Sequence, residues 1–140
     1  MPELPEVEVV KRSLDRNILN LIIKKVKIYD GNLRYKVNEI ELSRLKGKKI
    51  TKIARRSKFL IFEIGKTYQM LVHLGMTGKF FFINNNDNKF KTSFYYHLDY
   101  KKDRKHNRVI FFLNKKQKLI YNDVRKFGFI KIYNRNSINK

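Results

Sequence analysis

The chain has no cysteine and no tryptophan, only two prolines and six glycines among 140 residues, and 12 acidic residues against 33 basic ones. The missing cysteines exclude disulfides and any thiolate metal site within these residues. His73, His97 and His106 are scattered without ligand spacing, so no metal site is expected either. No stretch approaches the ~20 apolar residues of a membrane span. The N-terminus lacks a charged-then-apolar signal segment, which makes a cytoplasmic location the default. The scarcity of acids leaves a net charge of +21. A charge that large on a small domain calls for a polyanionic partner, most simply nucleic acid. Lysines (23) outnumber arginines (10), and isoleucine and asparagine are abundant too. An A/T-rich genome over-uses all of these, so codon bias accounts for part of the charge.

Apolar residues make up 42% of the chain and fall in periodic stretches, enough for one domain with a single core. Pro5 to Asn17 reads as a helix, with Val7, Val10, Leu14 and Ile18 at helical spacing. Ile23 to Tyr29 alternates in its second half and ends at Asp30-Gly31, a turn signal. Asn38 to Lys46 reads as a short helix that Asn38 can cap and Gly47 can end. Strands then dominate: Lys49 to Ala54, Lys58 to Ile64, Tyr68 to Leu74, Lys79 to Ile83, Phe94 to Tyr100, Val109 to Leu113, Leu119 to Tyr121 and Phe127 to Tyr133. Lys101 to Asn107 reads as an exposed, charged hairpin connection. The expected fold is mainly β with flanking helices: an antiparallel β-sandwich of about eight strands, with an N-terminal helix carrying the chain start. The polar residues from Asn134 to Lys140 read as the start of a linker.

The start itself, Met1-Pro2-Glu3-Leu4-Pro5-Glu6, carries chemistry. With Met1 removed, Pro2 presents a secondary α-amine. Such an amine has a pKa near 7.7–8.0, so a useful fraction is unprotonated at neutral pH. It can attack an electrophilic carbon and form an iminium. Glu3 and Glu6 place two carboxylates beside it. By a plainer reading, Pro5 and Glu6 open a helix, where proline and acids are both favoured.

Three further segments join the first: Arg55-Arg56-Ser57-Lys58-Phe59-Leu60, His73-Leu74-Gly75-Met76-Thr77-Gly78 and Asn122-Asp123-Val124-Arg125-Lys126-Phe127-Gly128. In this order and spacing they resemble the N-terminal domain of the formamidopyrimidine-DNA glycosylases, bacterial repair enzymes for oxidised purines. The resemblance covers essentially the whole chain, with residues 1–133 as the catalytic domain. It implies a base-excision glycosylase and lyase acting on damaged double-stranded DNA as a monomer. Pro2 would attack C1′ of the damaged nucleotide, Glu3 would move protons at the sugar, and Glu6 would support the site by orientation. Lys58 matches the family's hairpin lysine, which contacts phosphate and serves in strand cleavage. Met76, Arg125 and Phe127 match residues that enter the duplex where the damaged nucleotide has been extruded. Tyr95 stands where the family has a DNA-contacting histidine, while His97 matches a second histidine of the pattern and is carried over as a DNA-binding residue. His73 fits a buried core histidine and a phosphate contact equally well.

Leu4 favours the oxidised-purine branch over the sister endonuclease VIII family, which typically has glycine there. A specificity for oxidised pyrimidines, or a non-catalytic basic nucleic-acid-binding domain, are the alternatives. Val124 replaces a usual proline and Lys126 a usual arginine; the latter keeps the charge but loses the planar fork, which predicts weakened phosphate or structural contacts. Family members continue into a helix–two-turn–helix domain and a four-cysteine zinc finger. The resemblance therefore implies one zinc ion in a full-length protein, and no cofactor within these residues.

Overall fold

The computed structural model describes residues 4–84, 92–93 and 104–135. Two antiparallel sheets face each other, with a helix against one of them. The helix α1 spans Leu4–Ile18. Strand β1 (Ile23–Ile28) and a short helix α2 (Glu39–Ser43) follow. Then come β2 (Ile50–Arg56), β3 (Phe59–Ile64), β4 (Tyr68–His73) and β5 (Gly78–Ile83). The chain closes with β6 (Thr92–Ser93), β7 (Asn107–Leu113), β8 (Lys118–Asp123) and β9 (Phe129–Asn134). One sheet has the order β1-β7-β8-β5-β6 and the other β2-β3-β4-β9. The antiparallel sandwich with an N-terminal helix is thus the observed architecture.

The core follows from period-two patterning on the strands and period-3.6 patterning on the helix. Leu60, Phe62 and Ile64 of β3 point inward, as do Phe80 and Phe82 of β5 and Val109 and Phe111 of β7, and all are buried. Phe62 meets Phe80 edge to face at 5.9 Å between ring centroids, and Phe80 meets Tyr121 the same way at 5.5 Å. Each such fully buried side chain contributes about 1.5–3 kcal/mol by leaving water. Helix α1 buries Val7, Val10, Leu14 and Ile18, the four residues at helical spacing, and packs on β2 and β3. Asn38 caps α2 as expected, its Oδ1 accepting from the Glu41 amide at 3.0 Å.

The expected half-alternation of β1 has a local reason, and several boundaries differ from the expectation, with Phe127 lying before β9 rather than in it. Strand β1 alternates only in its second half because its pairing with β7 shifts between Ile23 and Lys25, leaving Lys24 and Lys25 both exposed. Lys58 stands in the two-residue turn between β2 and β3, where Arg56 pairs with Phe59, rather than inside a strand. In the segment read as a hairpin connection, residues 104–106 form a 3-10 turn and Asn107 already opens β7. The strand expected over Phe94 to Tyr100 lies outside the described residues.

Candidate nucleic-acid interface

At one end of the sandwich, two turns join the sheets. One runs from β4 to β5 through Gly75, Met76 and Thr77; the other runs from β8 to β9 through Val124 to Gly128. Both are written in the sequence as glycine-bounded breaks between apolar runs. The two turns touch at their backbones. Gly75 has φ +62, and a Cβ there would stand 2.7 Å from the Gly128 nitrogen. A Cβ on Gly128 would stand 2.0 Å from the Tyr121 hydroxyl. Only glycine lets two chains approach so closely.

A buried carboxylate stitches the turns together. Asp123 is fully buried. Its Oδ1 accepts from the Thr77 hydroxyl at 2.6 Å and the Lys126 amide at 3.0 Å. Its Oδ2 accepts from the Tyr121 hydroxyl and the Gly128 amide, both at 2.9 Å. Thr77 Oγ1 in turn accepts from the Arg125 amide at 3.0 Å. A buried charge is tolerated when its lone pairs are filled in this way.

This framework brings together three residues singled out in the sequence. Arg125 Nη1 lies 3.5 Å from Met76 Sδ, across 49 positions of sequence. Its guanidinium carbon stands 5.6 Å from the Phe127 ring centre. Met76 is 52% exposed and Phe127 49%, with Val124 beside them at 40%. Apolar side chains that large, held in water around an arginine, are not core filler. They form a tip able to enter an apolar gap and offer paired donors at its edge.

Lys58 is half-buried at the turn of the β2–β3 hairpin. That hairpin is tied to α1 by Glu8, whose Oε1 accepts from Arg55 Nε at 2.7 Å. Arg55 also donates to the Ser57 carbonyl at 2.9 Å, inside the turn. Arg12 adds a second ion pair to Glu8 at 3.0 Å. The hydrogen bond from Arg55 above all holds the Glu8 carboxyl below its ordinary range. Glu6 is exposed and makes no ion pair with a described residue. The carboxylate that joins helix to hairpin is therefore Glu8, which sequence reasoning missed. Pro2, Glu3 and His97 lie outside the described residues.

His73 is 8% exposed, which supports the packing reading of the two left open by the sequence. Its ring stacks on Phe129 at 5.6 Å and meets Phe59 edge on at 5.1 Å. Nδ1 accepts from the Gly75 amide at 3.0 Å, so the neutral ring carries its proton on Nε2. Burial first, then the positive charges of Arg34 and Lys58, push its pKa below the ordinary 6.5. Lys126 points its Nζ at Asp30, with Oδ2 accepting at 2.9 Å. Among the described residues, no three metal-ligating side chains gather, and no helix is long and apolar enough to cross a membrane.

Residues 1–130 match the family model described as the formamidopyrimidine-DNA glycosylase N-terminal domain. The formamidopyrimidine-DNA glycosylase of Rickettsia felis is 39% identical over 140 residues, covering 100% of this chain and 46% of that protein. That of Rickettsia bellii is 39% identical over 130 residues, 93% of this chain and 42% of its own length. The chain thus spans about half the length of these relatives. The Lactococcus lactis protein in complex with abasic-site DNA superimposes with a TM-score of 0.77 at 30% identity, over 99% of this chain and 46% of that one. The same protein, inhibited and bound to DNA containing N7-benzyl-Fapy-dG, superimposes at 0.78 with the same identity and coverage.

Proposed function

The chain belongs to the formamidopyrimidine-DNA glycosylase family through its N-terminal domain, and from that premise we propose that it is the catalytic part of a base-excision DNA glycosylase and lyase for oxidised purines. The observation that carries the reading is the exposed tip of Met76, Arg125 and Phe127, built from two turns far apart in sequence. A base inside a duplex must be flipped out before its sugar can be attacked, at a cost of a few kcal/mol. An apolar wedge that fills the gap offsets that cost, and an arginine satisfies the orphaned opposite base.

The chemistry proposed for the chain start follows from its amine. The Pro2 nitrogen attacks C1′, and the bond from C1′ to the base breaks, the base leaving with its electron pair and taking up a proton. Glu3 supplies a proton to the ring oxygen as the sugar opens to an iminium. The iminium acidifies the C2′ hydrogen. Loss of that proton breaks the C3′–O bond and releases the 3′ phosphate, with Lys58 beside the phosphate as proton carrier. A second elimination breaks the 5′ side. An enzyme that activates water instead has no use for an N-terminal secondary amine. His97 adds a DNA contact in this reading, and Glu6 orients the amine. The full-length protein would grip the duplex further with the helical and zinc-finger parts that the family resemblance implies, as a monomer.

Borohydride tests the proposal by reducing the iminium to a stable amine. A duplex containing 8-oxoguanine should yield a covalent adduct with the full-length protein, mapped to Pro2 by mass spectrometry. Pro2→Gly should trap far less. Equal trapping by that variant would sink the mechanism.

A further inference from the structure

Arg108 is a buried arginine that the proposed chemistry does not use. It is 9% exposed, and arginine is among the costliest side chains to bury. It sits at an irregularity in the pairing of β7 with β8, where Asn107 faces Asn122 but Val109 already faces Tyr121. One extra residue on β7 is thereby turned out of register, a device that re-aims a side chain.

The re-aimed guanidinium grips the backbone of the tip. Its Nε donates to the Asp123 carbonyl at 2.9 Å, and its Nη2 to the Val124 carbonyl at 3.3 Å. These are the two residues directly before Arg125. Nη1 donates to Asp30 Oδ2 at 3.3 Å, and Nη2 also lies 3.4 Å from His106 Nδ1. The same Asp30 oxygen holds Lys126, directly after Arg125. Asp30 is itself fixed by the Asn32 amide at 3.0 Å on its Oδ1. Arg125 is therefore bracketed on both sides by one carboxylate, through Arg108 before it and Lys126 after it. Lys126 is held at φ +60, a left-handed conformation that a lysine adopts only when its surroundings enforce it.

We infer that Arg108, anchored by Asp30, is a positioning residue that sets where Arg125 and Phe127 stand for entry into a duplex, an inference that rests on the glycosylase reading. Val124, Arg125 and Phe127 are exposed, so no core packing fixes them. An ion pair with one partner buried and the other partly exposed is also a poor means of adding bulk stability. What the fork of Arg108 does supply is a fixed direction for two successive carbonyls. The demand for that precision is greatest when a stacked base must be displaced. At an abasic site there is no base to extrude.

The test compares two duplexes in single-turnover borohydride trapping by the full-length protein. One carries 8-oxoguanine paired with cytosine, the other an abasic site. Asp30→Asn keeps the shape of the anchor and removes its charge; Arg108→Lys keeps the charge and removes the fork. Each should slow trapping on the paired lesion by about tenfold or more, the cost of a misplaced contact. On the abasic duplex each should stay within about twofold of the unaltered protein. Equal slowing on both duplexes, or slowing on neither, overturns the inference. If Arg108→Lys fails to fold, Asp30→Asn alone decides. If the unaltered protein traps neither duplex, the glycosylase reading fails first, and that result is distinct from any difference between variants.

Discussion

Glu8 and Arg55 meet at 2.7 Å across 47 positions of sequence, and that contact joins the start of the chain to the hairpin bearing Lys58. The helix that Glu8 belongs to begins two residues beyond Pro2. The hairpin that Arg55 belongs to turns at Ser57 and Lys58. One ion pair therefore relates the proposed nucleophile to the proposed proton carrier.

Glu8→Gln tests this relation. Both side chains are about 30% exposed, so screening by water keeps the pair's contribution to stability small. Folding should therefore change little. Lyase activity should fall more than that, by about tenfold, because a small displacement between reacting groups is costly. Denaturant melts beside strand-cleavage rates would check the pair of outcomes. A variant with normal cleavage would remove Glu8 from the site.

Substitutions at the tip and at its support should separate cleanly. Met76→Ala and Phe127→Ala remove exposed side chains, so stability should move by no more than about 0.5 kcal/mol. Excision of a paired lesion should fall by about tenfold or more, since the unstacking cost of a few kcal/mol then goes unmet. Asp123→Ala should do the reverse first. It strands the half-buried Thr77 hydroxyl, the buried Tyr121 hydroxyl and two backbone donors, and hydrogen bonds to a charged group are worth about 1.5–3 kcal/mol each. Thermal melts and excision rates on one set of proteins distinguish the two behaviours. An unstable Phe127→Ala would mean that the ring is core after all.

Acid should weaken the fold through His73. Its folded-state pKa lies below the ordinary 6.5 because the ring is buried. The neutral form is favoured in the folded chain, so its contribution is complete above about pH 6.5. It is lost as pH falls from there through the lower folded value. Protonation also puts a hydrogen on Nδ1, which can no longer accept from the Gly75 amide. Unfolding free energy should therefore drop between neutral pH and pH 5, and His73→Gln should flatten that part of the profile. An unchanged slope in the variant would assign the pH effect elsewhere.

Much of this molecule was legible before its structure. Val7, Val10, Leu14 and Ile18 announce α1, because helical spacing of branched and aliphatic residues has few other uses. The Met76 turn stood out because a large apolar residue between glycines has no core to join. Glu8 did not stand out: it is one acid in a short acidic run, and nothing local distinguishes the one that finds an arginine from the one that faces water. Arg108 and Asp30 were invisible for the same reason on a larger scale. Among 33 basic residues, sequence cannot mark the one that a strand irregularity turns inward. The pairing of Lys126 with Asp30, 96 positions away, leaves no local mark in the sequence either.

The backbone contact between Gly75 and Gly128 has an entropic consequence. Two turns that each cross from one sheet to the other have no room to slide past one another. Met76 and Phe127 are thus carried on one body rather than two. A surface assembled from independent loops must lose the freedom of each loop when it binds, whereas a fused one has lost that freedom on folding. Enlarging either glycine would do more than introduce a clash. It would separate the two turns and transfer the ordering cost from folding, where it is met once, to every encounter with a duplex.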